Sequence, residues 1–150
     1  MADWDKKFMA LAHHFAKWSK DPKKKVGAVI VNDDHRMISM GYNDLPQKCQ
    51  HDIPARHIKP AKLFYYVHAE ANAIYSAARS GIKTQDCTMY VTFHPCSTCC
   101  HGIIQSGIKR IVCYPVDFEN DSWGPTCKVA KELFDETGIE VVYLEMPNEN

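Results

Sequence analysis

Four side chains in two short stretches have the types and spacing for metal-assisted hydrolysis. They are His68 and Glu70 of His68-Ala69-Glu70, and Cys96 and Cys99 of Pro95-Cys96-Ser97-Thr98-Cys99. Thiolates and an imidazole suit Zn²⁺, and three protein ligands leave a fourth tetrahedral position for water, the pattern of a catalytic site. Zinc lowers the pKa of a bound water from about 15.7 towards 7. Glu70 is not needed as a ligand, so it is free to accept a proton and pass it on, a shuttle worth on the order of 10² to 10⁴ in rate. Two other readings of the same residues stay open. A lone C-x-x-C is also a redox pair or half of a zinc knuckle, and a closed structural site would draw a fourth ligand from Cys100 or His94.

Both halves of this set open helices. The alanine-rich run from Ala69 to Arg79 lacks proline and stops at Gly81, and a second helix runs from about Cys96 to Ser106, with Pro95 ahead of it and Gly107 behind. A helix N-terminus carries roughly half a positive charge, so thiolates at Cys96 and Cys99 are stabilised there before any metal arrives. The β-prone runs Cys87 to Phe93 and Lys109 to Tyr114 flank the second helix, a strand-helix-strand unit in which parallel pairing is expected.

The remaining elements frame that unit. Trp4, Phe8, Leu11, Ala12, Phe15 and Trp18 recur at helical spacing, predicting an amphipathic helix over residues 3–19 with Asp3 as its cap and the aromatic stripe as core. Val26 to Val31 reads as a buried strand, Asn32-Asp33-Asp34 as a turn and Arg36 to Gly41 as the returning strand of a hairpin. A helix over Thr126 to Thr137, ended by Gly138, and a last strand over Ile139 to Leu144 complete an α/β chain.

Three loops carry further candidates. Lys23, Lys24 and Lys25 abut the first strand and are candidates for a substrate phosphate, although such a run is commonly a solvated loop. Asn43 offers a donor and an acceptor to a sugar hydroxyl, or satisfies its own turn. Residues 46–67 form a long irregular stretch of the kind that carries function in a compact fold; its Cys49, His51 and His57 are a possible second metal set without tight spacing.

The chain has 150 residues, the size of one domain spanning 1–150, with 18 Lys and Arg balanced by 18 Asp and Glu. Neutral charge supplies no global field for a nucleic-acid polymer. The cysteine count is odd at seven, no signal peptide precedes Trp4 and no apolar run approaches a membrane span, so a reducing, cytoplasmic location is expected.

H-x-E followed by P-C-x-x-C is an established signature of zinc deaminases, and both halves occur here in that order. With Ser19-Lys20-Asp21-Pro22, Val26-Gly27-Ala28, Gly41-Tyr42-Asn43, Asn72-Ala73-Ile74, Met89-Tyr90-Val91 and Ile103 to Lys109, nearly the whole chain resembles the cytidine deaminase-like superfamily, and within it the deoxycytidylate (dCMP) deaminases. The resemblance implies a three-layer α/β/α fold with a five-stranded mixed sheet, hydrolysis of dCMP to dUMP and ammonia, and a hexamer. It further implies activation by dCTP and inhibition by dTTP with Mg²⁺. By position it makes His68, Cys96 and Cys99 the zinc ligands and Glu70 the proton shuttle. Asn43 would touch the deoxyribose and Phe118 would lie over the substrate; of the lysine run beside the first strand, Lys24 and Lys25 are the residues expected to meet the phosphate. Asp44 stands where the family usually has glycine, and Cys100-His101 where it usually has Ala-Lys. The competing readings are a deaminase of free nucleoside, one of RNA or single-stranded DNA, and a structural zinc module that binds a partner.

Overall fold

In the computed structural model, which describes residues 3–147, five strands form one mixed sheet in the order β2-β1-β3-β4-β5. The strands are β1 (Gly27–Val31), β2 (Met37–Tyr42), β3 (Thr88–Val91), β4 (Arg110–Cys113) and β5 (Glu140–Tyr143). β1 pairs antiparallel with both β2 and β3, whereas β3, β4 and β5 run parallel. All five expected strands are present. Their ends are shorter than the apolar runs: Phe93 lies beyond β3 and lines a cavity, and Tyr114 lies beyond β4, buried beneath α1.

Helix α1 (Asp3–Ala16) covers one face of the sheet, and α3 (Ala69–Ser80), α4 (Ser97–Gln105) and α5 (Gly124–Thr137) cover the other, which gives three layers. α1 buries Phe8, Met9 and Ala12 against Val29, Val31, Tyr90 and Val112. The expected aromatic stripe is corrected here: Trp4, Leu11 and Trp18 remain exposed, and Trp4 stacks on His35 instead. The face of α1 that meets the sheet is centred on Ala12, because small residues permit the closest approach of helix to strand. After Ala16 three i to i−3 hydrogen bonds tighten the chain into a closing turn, so the helix ends short of residue 19.

On the opposite face Ile30, Met89, Val91 and Ile111 meet Ala69, Ala73, Ile103 and Phe134. Each helix is amphipathic, so burying its apolar side on the sheet is what fixes where its N-terminus points. α3 ends at Gly81 with φ +72°, as its sequence predicts. α5 begins two residues earlier than expected because Pro125 sits in its first turn, where the missing N–H costs nothing.

Gly41 of β2 controls the seat of α3. A Cβ there would lie 2.4 Å from the Ala69 carbonyl oxygen and 2.5 Å from the Ala73 nitrogen. Both are backbone atoms of α3, which cannot yield without moving the helix that carries Glu70. Gly41→Ala is therefore expected to destabilise the protein by about 1–3 kcal/mol, as overpacking does. Thermal unfolding monitored by circular dichroism checks this, and an unchanged midpoint would show that α3 is not seated on this glycine.

Residues 46–67, expected to be irregular, hold a 3₁₀ turn (Pro54–His57) and a single-turn helix α2 (Lys62–Tyr65). The two ends of the stretch are pinned together by backbone hydrogen bonds between Asp44 and Val67. Among the described residues no helix is long and apolar enough to cross a membrane.

Candidate active site

His68 and Cys96 both occupy N-cap positions, of α3 and α4 respectively, with extended backbone at each. Glu70 and Cys99 then fall in the first turns of the same two helices. Their side chains converge because both helices pack on one face of the sheet with their N-termini at the carboxyl end of β3. His68 Nδ1 lies 3.5 Å from Cys96 Sγ and 3.3 Å from Cys99 Sγ. With Zn–S near 2.3 Å and Zn–N near 2.0–2.1 Å, a tetrahedral N···S edge is about 3.5 Å. The three donors thus have the chemistry and the separation that suit zinc, and they form the one such group found among the described residues.

The electrostatics agree with that fit. The Cys96 thiol is held well below its ordinary range by hydrogen bonds from Cys99 and His68, against the opposing effect of burial. Cys99 is pushed up by its bond to Cys96, by burial and by the nearby Glu70 charge. His68 is raised by its bond to Cys96. Burial pushes the Glu70 carboxyl up to about 7, partly offset by His68.

The candidates for a fourth protein ligand are turned elsewhere. The Cys100 thiol donates to the Ala130 carbonyl of α5. His94 is buried with Nδ1 donating to the Pro95 carbonyl, 3.0 Å away, and Nε2 accepting from the Tyr143 hydroxyl at 3.0 Å. The loop set is not gathered either. Both His57 nitrogens are engaged, by Tyr66 and the His51 carbonyl, while the His51 ring faces Lys20 and the Pro46 carbonyl.

His68, Glu70 and Cys96 open onto a cavity of about 320 Å³. Four lysines line it: Lys23 and Lys24 from the first loop, and Lys59 and Lys62 from the 46–67 stretch. Lys24 stands over the rings of Phe93 and Trp123, 3.1 and 3.9 Å from their centroids, and burial lowers its ammonium to about 8. Lys62 pairs with buried Asp21 at 2.9 Å. Asn43 lines the cavity with its amide already committed: Oδ1 accepts from the Val26 N–H, and Nδ2 donates to the Lys24 carbonyl and to Asp21.

Two sequence candidates are not brought to the cavity. Lys25 is exposed and its ammonium donates to the Ser19 carbonyl, since consecutive residues entering an extended strand point to opposite sides. Phe118 packs edge-on against His94, 5.7 Å between centroids, and the aromatic wall is Phe93 and Trp123 instead. Lys59, Lys62, Tyr66, Phe93 and Trp123 were not singled out from the sequence for the site. The length of the 46–67 stretch was the one signal that pointed towards the first three.

A mixed sheet flanked by helices, with one imidazole, two thiols and a buried carboxyl gathered at two helix starts, is the arrangement that suits a metal-dependent hydrolase. Residues 2–115 match the family described as the cytidine and deoxycytidylate deaminase zinc-binding region. The chain is 39% identical over 142 residues to the deoxycytidylate deaminase of Homo sapiens, covering 91% of this chain and 77% of that protein. It is 36% identical over 150 residues to an uncharacterised deaminase of Aliivibrio fischeri, covering 97% of each. The crystal structure of dCMP deaminase from cyanophage S-TIM5 in complex with dCMP and dUMP shares the fold, with a TM-score of 0.77 at 22% identity, over 96% of this chain and 98% of that one. The chain belongs to the cytidine and deoxycytidylate deaminase family and has its cytidine deaminase-like fold.

Proposed function

We propose that the protein hydrolyses dCMP to dUMP and ammonia. The observation that carries this reading is a single cavity lined both by the His68, Cys96 and Glu70 constellation and by four lysines, which suits a cytosine and a 5′-phosphate in one molecule. His68, Cys96 and Cys99 would hold Zn²⁺, which supplies a Lewis acid that makes water nucleophilic near neutral pH. Glu70 takes one proton from the attacking water and gives it to the N3 atom of the ring. It then takes the remaining proton of the hydroxyl added at C4 and delivers it to the departing amino group, so that the C4–N bond breaks, ammonia leaves and the C4 carbonyl forms. Phe93 and Trp123 keep Lys24 extended into the cavity, where its ammonium and those of Lys23 and Lys59 meet the phosphate. The human deoxycytidylate deaminase, 39% identical, supports the same substrate.

Offering dCMP, deoxycytidine and a cytosine-containing oligonucleotide under one condition, and following ammonia release, tests the reading. Preference for deoxycytidine or the oligonucleotide would overturn it. Lys24→Met is expected to raise KM for dCMP about 10- to 100-fold while leaving deoxycytidine almost unaffected, because one charge-assisted contact is worth about 1.5–3 kcal/mol. Equal losses on both substrates would remove Lys24 from phosphate recognition. The low value of the free Lys24 ammonium also predicts proton uptake on binding. An adjacent phosphate dianion favours the charged form, so near pH 9 dCMP binding should draw in a proton where deoxycytidine binding draws none at this group. Calorimetry in two buffers of different ionisation enthalpy reads the difference.

Control by dCTP and dTTP with Mg²⁺ and a hexameric assembly belong to the same proposal and rest on the resemblance; a reducing, cytoplasmic location belongs to it too and rests on the odd cysteine count and the lack of a signal-like or membrane-length apolar run. Asp44 bears on the first of these. Its buried carboxylate faces Lys20 at 3.4 Å and His51 at 3.6 Å, an internal pairing in the loop where the family usually has glycine. Ammonia release from dCMP with and without each triphosphate, and sedimentation of the same samples, test these points.

A further inference from the structure

We infer that Asp21 is a positioning residue for phosphate recognition. Its one buried carboxylate aims Lys24 into the cavity and, through Lys62, holds the stretch that carries Lys59 against it, so these ammonium groups stand ready for a 5′-phosphate before any nucleotide binds. The inference rests on the dCMP reading above and names the side chain on which its phosphate end depends.

Asp21 is 2% exposed, two residues ahead of the lysine run. Its Oδ1 accepts from the backbone N–H groups of Lys23 at 2.9 Å and Lys24 at 3.3 Å, and its Oδ2 accepts from the Lys62 ammonium at 2.9 Å and from Asn43 Nδ2 at 3.4 Å. A carboxylate offers about four lone-pair sites, and here each has a donor. Asn43 Nδ2 also donates to the Lys24 carbonyl at 2.8 Å, so the N–H and the C=O of Lys24 are both tied to the Asp21 and Asn43 pair. Held at both ends, Lys24 sends its side chain to the rings of Phe93 and Trp123, whereas Lys25, one step along, is exposed.

The same carboxylate joins two walls of the cavity. Lys62 opens α2, and among the described residues its bond to Asp21 is the one side-chain hydrogen bond that runs from residues 54–66 to a residue outside the 46–67 stretch. With α2 tied there, Lys59 lies over the Trp123 ring that Lys24 also covers, 5.4 Å from its centroid. The charge of Asp21 matters as well as its shape. The Lys24 ammonium, lowered by burial, also feels Lys59 and Lys62, and a mostly buried Lys62 stripped of its counter-charge would repel it further.

The test measures kcat and KM for dCMP in the zinc-replete full chain, in Asp21→Asn, Asp21→Glu and Lys24→Met, and in the double variant Asp21→Asn/Lys24→Met, with zinc content and melting temperature for each. Asparagine keeps the shape and an acceptor for the two N–H groups but offers Lys62 no charge. Asp21→Asn is expected to raise KM at least about tenfold while kcat stays within about threefold, since misplaced contacts to a non-reacting phosphate cost binding rather than chemistry. Because Asp21 acts through Lys24, the double variant should raise KM at least about threefold less than the product of the two single factors. If Asp21→Asn does not fold, Asp21→Glu, which keeps the charge but moves it by one methylene, decides alone on the same split. A loss confined to kcat or to zinc content, or fully multiplicative effects on KM, would mark Asp21 as structural and overturn the inference while leaving the dCMP reading intact. No turnover of dCMP by the unsubstituted chain would overturn both.

Discussion

Glu70→Gln is expected to keep the fold and the zinc and to lose about 10² to 10⁴ in turnover of dCMP. The carboxyl is 5% exposed, in the first turn of α3, and opens onto the cavity beside His68 and Cys96. Glutamine has nearly the same volume and still hydrogen-bonds, so packing at the sheet face is preserved. What it cannot do is carry a proton from water to the ring and on to the leaving group. No neighbour can replace it. His94 is tied to Pro95 and Tyr143, and the Cys127 thiol points at the His94 carbonyl. Metal analysis, circular dichroism and an ammonia assay on one preparation separate the outcomes. Zinc-replete, folded Glu70→Gln with turnover within tenfold of the unsubstituted protein would dismiss Glu70 as the shuttle.

Removal of zinc by a chelator should abolish turnover yet leave a folded chain. Small zinc domains collapse without their ion because the ligands are their core. Here the core lies on both faces of a five-stranded sheet, and neither apolar cluster includes His68, Cys96 or Cys99. Cys96 also caps α4 without metal, its sulfur accepting from the Cys99 N–H, so that helix keeps its start. Stability should nevertheless fall by linkage. At free zinc about 1,000 times its dissociation constant the ion contributes about 4 kcal/mol, which at this chain length lowers the melting temperature by about 8–16 °C. Re-added zinc should restore both properties. A chelated protein that unfolds completely would point to a structural zinc module, and one that keeps full activity would exclude a catalytic metal.

The gathering of His68, Glu70, Cys96 and Cys99 and the order of elements were legible because each depends on local spacing. His-x-Glu and Cys-x-x-Cys need only a helix start to bring their members together, and an Ala-rich run ended by Gly81 and a run bounded by Pro95 and Gly107 announce where those helices lie. The rest of the cavity was decided by tertiary packing. Whether Lys24 or Lys25 faces inward depends on which side of an extended chain meets the rings of Phe93 and Trp123. Phe118 turns to His94, and Lys59, Lys62 and Tyr66 arrive because Asp44 and Val67 pin a loop whose own sequence has no period. A side chain's chemistry is written in its residue type. Its direction is set by contacts with residues tens of positions away, as the bond from the Asn43 amide to the Lys24 carbonyl shows.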